Sequence, residues 1–408
     1  MTNKKKIILL LFVLFVLMSC FFGRFDIARG FVTYTAHAQS EAESIEQEFE
    51  QEIDTQLSNL DFSGIEGIVT NLSTEAKQMF SKQSFASVVS QVISGEYVGN
   101  SQNFFASAIS LFFANIKEFL PTIATIVAIS ILGGMIGALR PTTNAKSIGN
   151  IVHFVTYGLV VVFLGAILAN LIDLVTNTLK LIKGIFDAIF PILLTLLTAI
   201  GGSVSVGIYQ PAIALLSGGF ASLISYVLMP MFVFSLVFSL VGNLSSNVKL
   251  DKFVSFLQGS FKWTMGLCFT IFLGFVSIQG IMAGSVDGLS VRTAKYALKS
   301  YIPIVGGYVS DGLSIITASS VLIKNAIGGA GLFLLLSSII SPVLNLVVFM
   351  LALRFMAGII EPVGDKKIAN FVSEMSKSMS LLIALLIAVS FMYLVLTGLV
   401  MCSANLLV

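Results

Sequence analysis

Asp311 and Lys324 are the residues in the body of this chain whose type and setting best fit chemistry. They are the only charges between Lys299 and Arg354. An ionisable side chain within a membrane stretch is expensive and is kept for pairing or for a polar path. Pro303, Gly306 and Gly307 stand before them and Asn325 directly after. Backbone interrupted by Pro and Gly survives at membrane depth only when buried in protein or lining a watery cavity. Residues 300–328 are therefore expected to form a polar, re-entrant stretch. Pro303, Gly306, Gly307, Asp311, Lys324 and Asn325 would line or gate a polar path there. The competing reading is that Asp311 and Lys324 flank a short interfacial helix and stay hydrated.

Other chemistry finds little support. There is no Gly-x-x-x-x-Gly-Lys-Ser/Thr phosphate loop and no His-Glu-x-x-His. Two His, one of them near the N-terminus, do not assemble a Ser–His–Asp triad, and three Cys make neither a disulfide framework nor a zinc site. Paired acids for an intramembrane aspartyl enzyme are missing, since the acids within spans are mainly isolated. Asp173 and Asp187 each lie at a span end, His153 reads as structural, and Cys268 and Cys402 read as packing residues. The expectation is a non-enzymatic protein without catalytic, cofactor or metal residues.

The elements that must position these residues follow from composition. Of 408 residues, 56% are apolar and only 11% charged, against roughly 25% charged in an ordinary soluble domain. That excludes a soluble or disordered chain and implies many membrane crossings. Charge falls in three blocks. Residues 1–38 carry five Lys/Arg and one Asp; 39–120 carry three Lys and twelve Asp/Glu; the remainder carries fifteen Lys/Arg and eight Asp/Glu. No basic stripe stands free of the membrane, so a nucleic-acid partner is not supported.

Residues 1–38 form a secretory leader. Lys4, Lys5 and Lys6 precede the uncharged run Ile7 to Phe22, and Ala36-His37-Ala38 resembles a cleavage site. A cleaved signal, an uncleaved anchor and lipidation at Cys20 remain alternatives, and all three export the chain from residue 39 onward. Residues 39–118 form an acidic extracytoplasmic segment of helices. Ile45, Phe49, Ile53, Leu57 and Leu60 make one stripe, with Glu43, Glu46, Glu48, Glu50 and Glu52 around it. Asp61-Phe62-Ser63-Gly64 breaks that helix. A second helical stretch runs over about 72–93, with Phe85, Val88, Val89 and Val92 on one side and a stop at Ser94-Gly95-Glu96. The acidic face is either simply solvated or a docking surface for a partner.

Residues 119–408 form the polytopic domain. Uncharged runs at Phe119–Leu139, Ile151–Ile172, Trp263–Gly284, Asn325–Leu353 and Ser378–Val408 are each long enough to span. Ala188 to Val248 is a 61-residue run without a charge. Gly201-Gly202, Pro211, Gly218-Gly219 and Pro230 are its available breaks. The positive-inside rule places Arg140, Lys146, Lys249, Lys252, Lys262, Arg354, Lys366, Lys367 and Lys377 on the cytoplasmic side. This requires an odd number of crossings within 188–248, and three fit better than one. The fold class is thus all-α, a polytopic helical membrane bundle of about eight spans. Arg292, Lys295 and Lys299 beside Val291, Ala294, Leu298 and Tyr301 read as a helix lying in the headgroup region. Gly133/Gly137 and Gly280/Gly284/Gly288 carry the small-xxx-small spacing of close helix packing or of a homo-oligomer.

The order of leader, acidic outside segment and polytopic body resembles the stage III sporulation protein AE family. The stretch Tyr301-Ile302-Pro303-Ile304-Val305-Gly306-Gly307 through Ser310-Asp311, then Leu322-Ile323-Lys324-Asn325-Ala326-Ile327-Gly328, is similar to that family's best-marked region, as is Glu361-Pro362. The resemblance implies a subunit of an export-like channel complex in endospore-forming bacteria. That complex would lie in the mother-cell membrane around the forespore and serve late forespore development. Its expected partners are the other stage III sporulation A proteins, including the ATPase stage III sporulation protein AA, and stage II sporulation protein Q across the intermembrane space. The rival reading is a stand-alone secondary transporter, which would show matched broken helices in two halves; 300–328 finds only a loose counterpart at 201–219. A membrane-embedded enzyme is the third.

Overall fold

The protein is described by a computed structural model covering residues 39–80, 83–95, 101–138, 145–244, 250–301 and 306–403. At 39–46, 79, 101–105, 137–138, 145–150, 280–301, 306–311 and 363 the backbone alone is described. The leader, its cleavage site and Pro303 lie outside the described residues. Every regular element among them is helical.

The acidic stripe forms α1, Gln39–Ser58. Its expected polarity holds where side chains are described: Ile53 is buried, while Glu48, Glu50 and Asp54 are exposed. The break expected at Asp61 is real. The Asp61 carboxylate accepts from the Ser63 N–H at 2.9 Å. The Ser63 hydroxyl and that N–H hold its carboxyl below the usual carboxylate range. There follow α2 (Ser63–Thr70), α3 (Thr74–Met79) and α4 (Phe85–Ile93). The single helix expected over 72–93 is therefore two, because Ser73 and Ser84 each open a new one. Their hydroxyls accept from Ala76 N and Ser87 N, both at 3.2 Å. Phe85, Val88 and Val89 are buried as the stripe predicts, and Gly95 ends the run at φ +71°.

Six long rods build the rest. They are α5 (Ser101–Ala138), α6 (Ala145–Ala199), the rod at 203–244, α10 (Asp251–Tyr301), α11 (Gly306–Val363) and α12 (Lys366–Cys402). The rod at 203–244 comprises α7 (Ser203–Ala214), a π-helical turn at Leu215–Phe220, α8 (Ala221–Leu223), a second π turn at Ile224–Leu228, and α9 (Met229–Leu244). Pro230 cannot donate to the carbonyl four residues back, and the second π turn lies directly ahead of it. The helix widens there rather than breaking.

All six rods are long and apolar enough to cross a membrane, and the chain is a multi-pass membrane protein. Four pairs of consecutive rods run antiparallel. Gly133 meets Thr156 across α5 and α6. Asp187 meets Ser217 and Tyr157 meets Leu240 across the next pair. Phe238 meets Phe253, and Gln279 reaches Ile208. Arg354 meets Ser376 in the last hairpin. The 61-residue uncharged run is divided at one reversal, Gly201-Gly202. Gly201 has φ +92°, and the Gly202 N–H returns to the Leu197 carbonyl at 2.9 Å. A Cβ at Gly202 would meet Leu197 at 2.8 Å. The other expected breaks stay inside one rod. The eight crossings read from sequence count apolar length, and the structure gathers that length into six rods. Ile151–Ala199 and Gly312–Pro362, at 49 and 51 residues, each run to about 75 Å, more than twice a bilayer core. Because 203–244 is one rod, the odd crossing number is kept. The C-terminal parts of α5, α9 and α11 lie toward one end of the bundle, where Tyr157 meets Leu240, His153 meets Asp365 and Gly364 approaches Ser130; the positive-inside rule assigns the basic residues to that end.

Two expectations change. Residues 306–328 do not double back; they are the first turns of α11. Two hydroxyls of this stretch are satisfied within the helix. Thr317 Oγ1 donates to the Leu313 carbonyl and Ser319 Oγ to the Ile316 carbonyl, at 2.9 and 3.0 Å. The helix expected to lie in the headgroups around 291–301 is the continuation of α10; the side chains of Arg292, Lys295 and Lys299 lie outside the described residues.

Within the bundle α12 is central. It packs on α11, α6, α9 and α10 and exposes no large apolar side chain. Large apolar side chains face outward from α5, α6, α9, α10 and α11 instead, among them Phe113, Phe154, Phe234, Ile278 and Phe355. An outer surface of this kind suits lipid. Gly133 supports the expected close packing, since a Cβ there would collide with the Thr156 side chain.

Candidate functional site

Lys324 lies one-third of the way along α11 and is 0% exposed. Its Nζ donates to the Ser403 carbonyl at the C-cap of α12. The last carbonyls of a helix have no partner within it and carry the negative end of its dipole. A cation is the group best suited to that place. Ser403 Oγ also donates to the Leu399 carbonyl at 2.7 Å and shares a 2.7 Å hydrogen bond with Tyr209 Oη from α7. One buried cluster thereby ties together α7, α11 and α12.

The surrounding residues hold Lys324 in place. Gly328, one turn on, permits close approach of α12, for a Cβ there would collide with Met401. Gly331 does the same for Ile189 of α6, at 2.5 Å from its Cδ1. One turn before Lys324, Gln56 donates to Ser319 Oγ at 3.0 Å and accepts from Ser320 Oγ at 2.8 Å. Asn325 follows Lys324, and its Oδ1 is buried without a hydrogen-bond partner among the described residues. Gly306 and Gly307 open α11. Asp311 lies in its second turn, its side chain outside the described residues. Of the six residues singled out in the sequence, the structure places Lys324 and Asn325 together at a three-helix junction.

A second polar cluster, not anticipated from sequence, sits at the other end of α12. Asp365 caps the helix, accepting from the Lys367 N–H at 2.9 Å, and its Oδ2 lies 2.5 Å from His153 Nδ1 of α6. Two turns on, Glu374 accepts from Ser239 Oγ at 2.5 Å and from Asn243 Nδ2 at 3.0 Å, both on α9. Arg354 Nε donates to Ser376 Oγ at 3.1 Å across the last hairpin. Gln258 of α10 donates to Ser378 Oγ at 3.1 Å. The signal that could have found this cluster is Ser and Asn placed among apolar residues of α9, at Ser239 and Asn243. Asp187, a weaker sequence candidate, pairs with Lys183 one turn earlier and accepts from Ser217.

This arrangement is structural glue. Lys324, Asp365, Glu374 and Arg354 each meet a helix end, an amide or a hydroxyl, and among the described residues no group of three His, Cys, Asp or Glu could hold a metal ion. The class so defined is a polytopic helical membrane protein whose polar groups join its rods.

Residues 83–404 match the family Stage III sporulation protein AE, and the chain belongs to that family. It is 23% identical over 316 residues to Stage III sporulation protein AE of Bacillus subtilis (strain 168), covering 78% of this chain and 79% of that protein. No solved structure matches it. Family membership assigns the chain a role in sporulation.

Proposed function

We propose that the chain is a non-enzymatic core subunit of a channel or secretion-like complex joining mother cell and forespore. It would lie in the mother-cell membrane around the forespore and be required for late forespore development. An ATPase subunit, stage III sporulation protein AA, would supply energy, the other stage III sporulation A proteins would share the membrane, and stage II sporulation protein Q would meet the complex across the intermembrane space. The Glu-rich face of α1 is the docking element in this reading. Residues 300–328, with Asp311 and Lys324, would line or gate a polar path.

The observation that favours a subunit over a secondary transporter is continuity of the rods. A transporter of the inverted-repeat type presents interrupted helices whose half-helix ends point at a midplane site. Here α11 runs unbroken for 58 residues and α12 for 37, with the central polar groups committed to helix contacts. The test is affinity isolation of the full chain from sporulating cells. Co-isolation of the ATPase subunit and of stage II sporulation protein Q is expected. Solute uptake by the chain alone in proteoliposomes, with neither partner recovered from cells, would replace this reading with the transporter.

A further inference from the structure

We propose that a groove between α6, the π-helical part of the 203–244 rod and α12 binds one anionic phospholipid. The groove has a volume of about 460 Å³, within the range of small-molecule sites. It is polar at one end and apolar at the other. Lys180, Lys183 and Ser225 stand at the polar end. Ile172, Val233 and Phe234 stand at the apolar end, where Val233 and Phe234 face outward from the bundle. The antiparallel course of the two rods produces this polarity. Eleven residues of α6 separate Ile172 from Lys183, a rise of about 16 Å, close to half the thickness of a bilayer core. That is the depth of one acyl chain in one leaflet.

The second π turn, Ile224–Leu228, supplies the width. A wider turn displaces the backbone from its α course and is a frequent mark of a functional site. Here its Ile224 and Ser225 line the same groove as Lys180. Tyr226, 81% exposed, lies beside Ser225. An amphipathic ring of this kind suits the boundary between headgroups and chains.

The charge decides the ligand. Lys183 is neutralised by Asp187. Lys180 forms no ion pair among the described residues, and its neighbours one turn away are Thr176, Asn177, Lys183 and Gly184. Asp173 is two turns distant. Lys180 is thus an uncompensated ammonium at the mouth of an apolar groove in a membrane protein. A phosphate on a hydrocarbon tail satisfies both parts, whereas a soluble anion would leave the apolar wall wet. Basic pockets between membrane helices recognise lipid headgroups in this way.

The full chain purified in detergent is incubated with phosphatidylglycerol or phosphatidylcholine, and retained lipid is counted by native mass spectrometry. One phosphatidylglycerol per chain is expected, with phosphatidylcholine retained far less. Lys180→Glu reverses the charge and should lower phosphatidylglycerol retention by roughly tenfold or more. Ser225→Trp, at an exposed position, should fill the groove and abolish retention of both lipids; both variants should elute from size exclusion as the unaltered chain does. Equal retention of the two lipids, or unchanged retention in either variant, overturns the proposal. Displacement of phosphatidylglycerol by glycerol phosphate at equal concentration also overturns it, because the site would then be a phosphate site without a lipid groove.

Discussion

The two ends of α12 are fixed by opposite chemistry. At the C-terminal end a single cation, Lys324, is wholly enclosed and meets backbone, the carbonyl of Ser403. At the N-terminal end the charges are carboxylates that meet side chains. There Asp365 keeps 27% exposure and its partner His153 keeps 15%. Both arrangements place charge of the sign a helix end favours: negative at the start of α12 and positive at its finish. They differ in what happens when one partner is lost. Water can reach Asp365 and soften the loss. Lys324 is 0% exposed, so a group left unpaired in its place bears most of its desolvation cost.

That difference orders the consequences of substitution. Lys324→Ala should be the most damaging, at about 3 kcal/mol, the upper range for a hydrogen bond to a charged group. It should appear as a large fall in thermal midpoint in detergent and as protease access to α12. If Lys324→Ala melts with the unaltered chain, the cation is not an anchor, and the polar-path reading of that residue gains. Glu374→Ala removes the acceptor of Ser239 and Asn243 and should cost about 1.5 kcal/mol. A double cycle with Asn243→Ala should show coupling, and strict additivity would separate the two residues. His153→Ala should cost about 1 kcal/mol or less, because both partners of its contact with Asp365 are partly exposed. A loss as large as that of Lys324→Ala would erase the contrast between the ends.

Much of the architecture was legible because membrane segments announce themselves by length and by lack of charge. The acidic amphipathic helix, the close approach at Gly133 and the reversal at Gly201-Gly202 each rest on a local rule that the structure obeys. The distribution of basic residues requires an odd number of crossings within 188–248, a condition that one rod or three would meet. What the sequence did not disclose was which breaks the chain would use. Pro211 and Pro230 were absorbed into one rod, the second with the help of a π turn, because neighbouring helices hold the widened backbone in place. Pro303, Gly306 and Gly307 suggested a re-entrant stretch, yet residues 306–328 continue as one helix in which Thr317 and Ser319 bond back to their own carbonyls.

The candidate site was half visible. Lys324 stood out, with Asp311, as one of the two charges between Lys299 and Arg354. Its partner could not be found by matching residue types, because the partner is a main-chain carbonyl 79 positions away. The Glu374 and Asp365 clusters were hidden for the opposite reason. They lie in a charge-rich stretch where solvated residues are the ordinary expectation, and only Ser239 and Asn243 on a distant rod reveal that one of these carboxylates is spoken for.

The enclosure of α12 also bears on how the protein is made. The other five rods precede it in the chain and so leave the ribosome first. They must either keep a slot open for a latecomer or reach their final packing only once it arrives. Translation halted before Lys366 would leave the insertion machinery with five greasy rods, Lys324 turned toward an absent neighbour, and a ready target for membrane proteases.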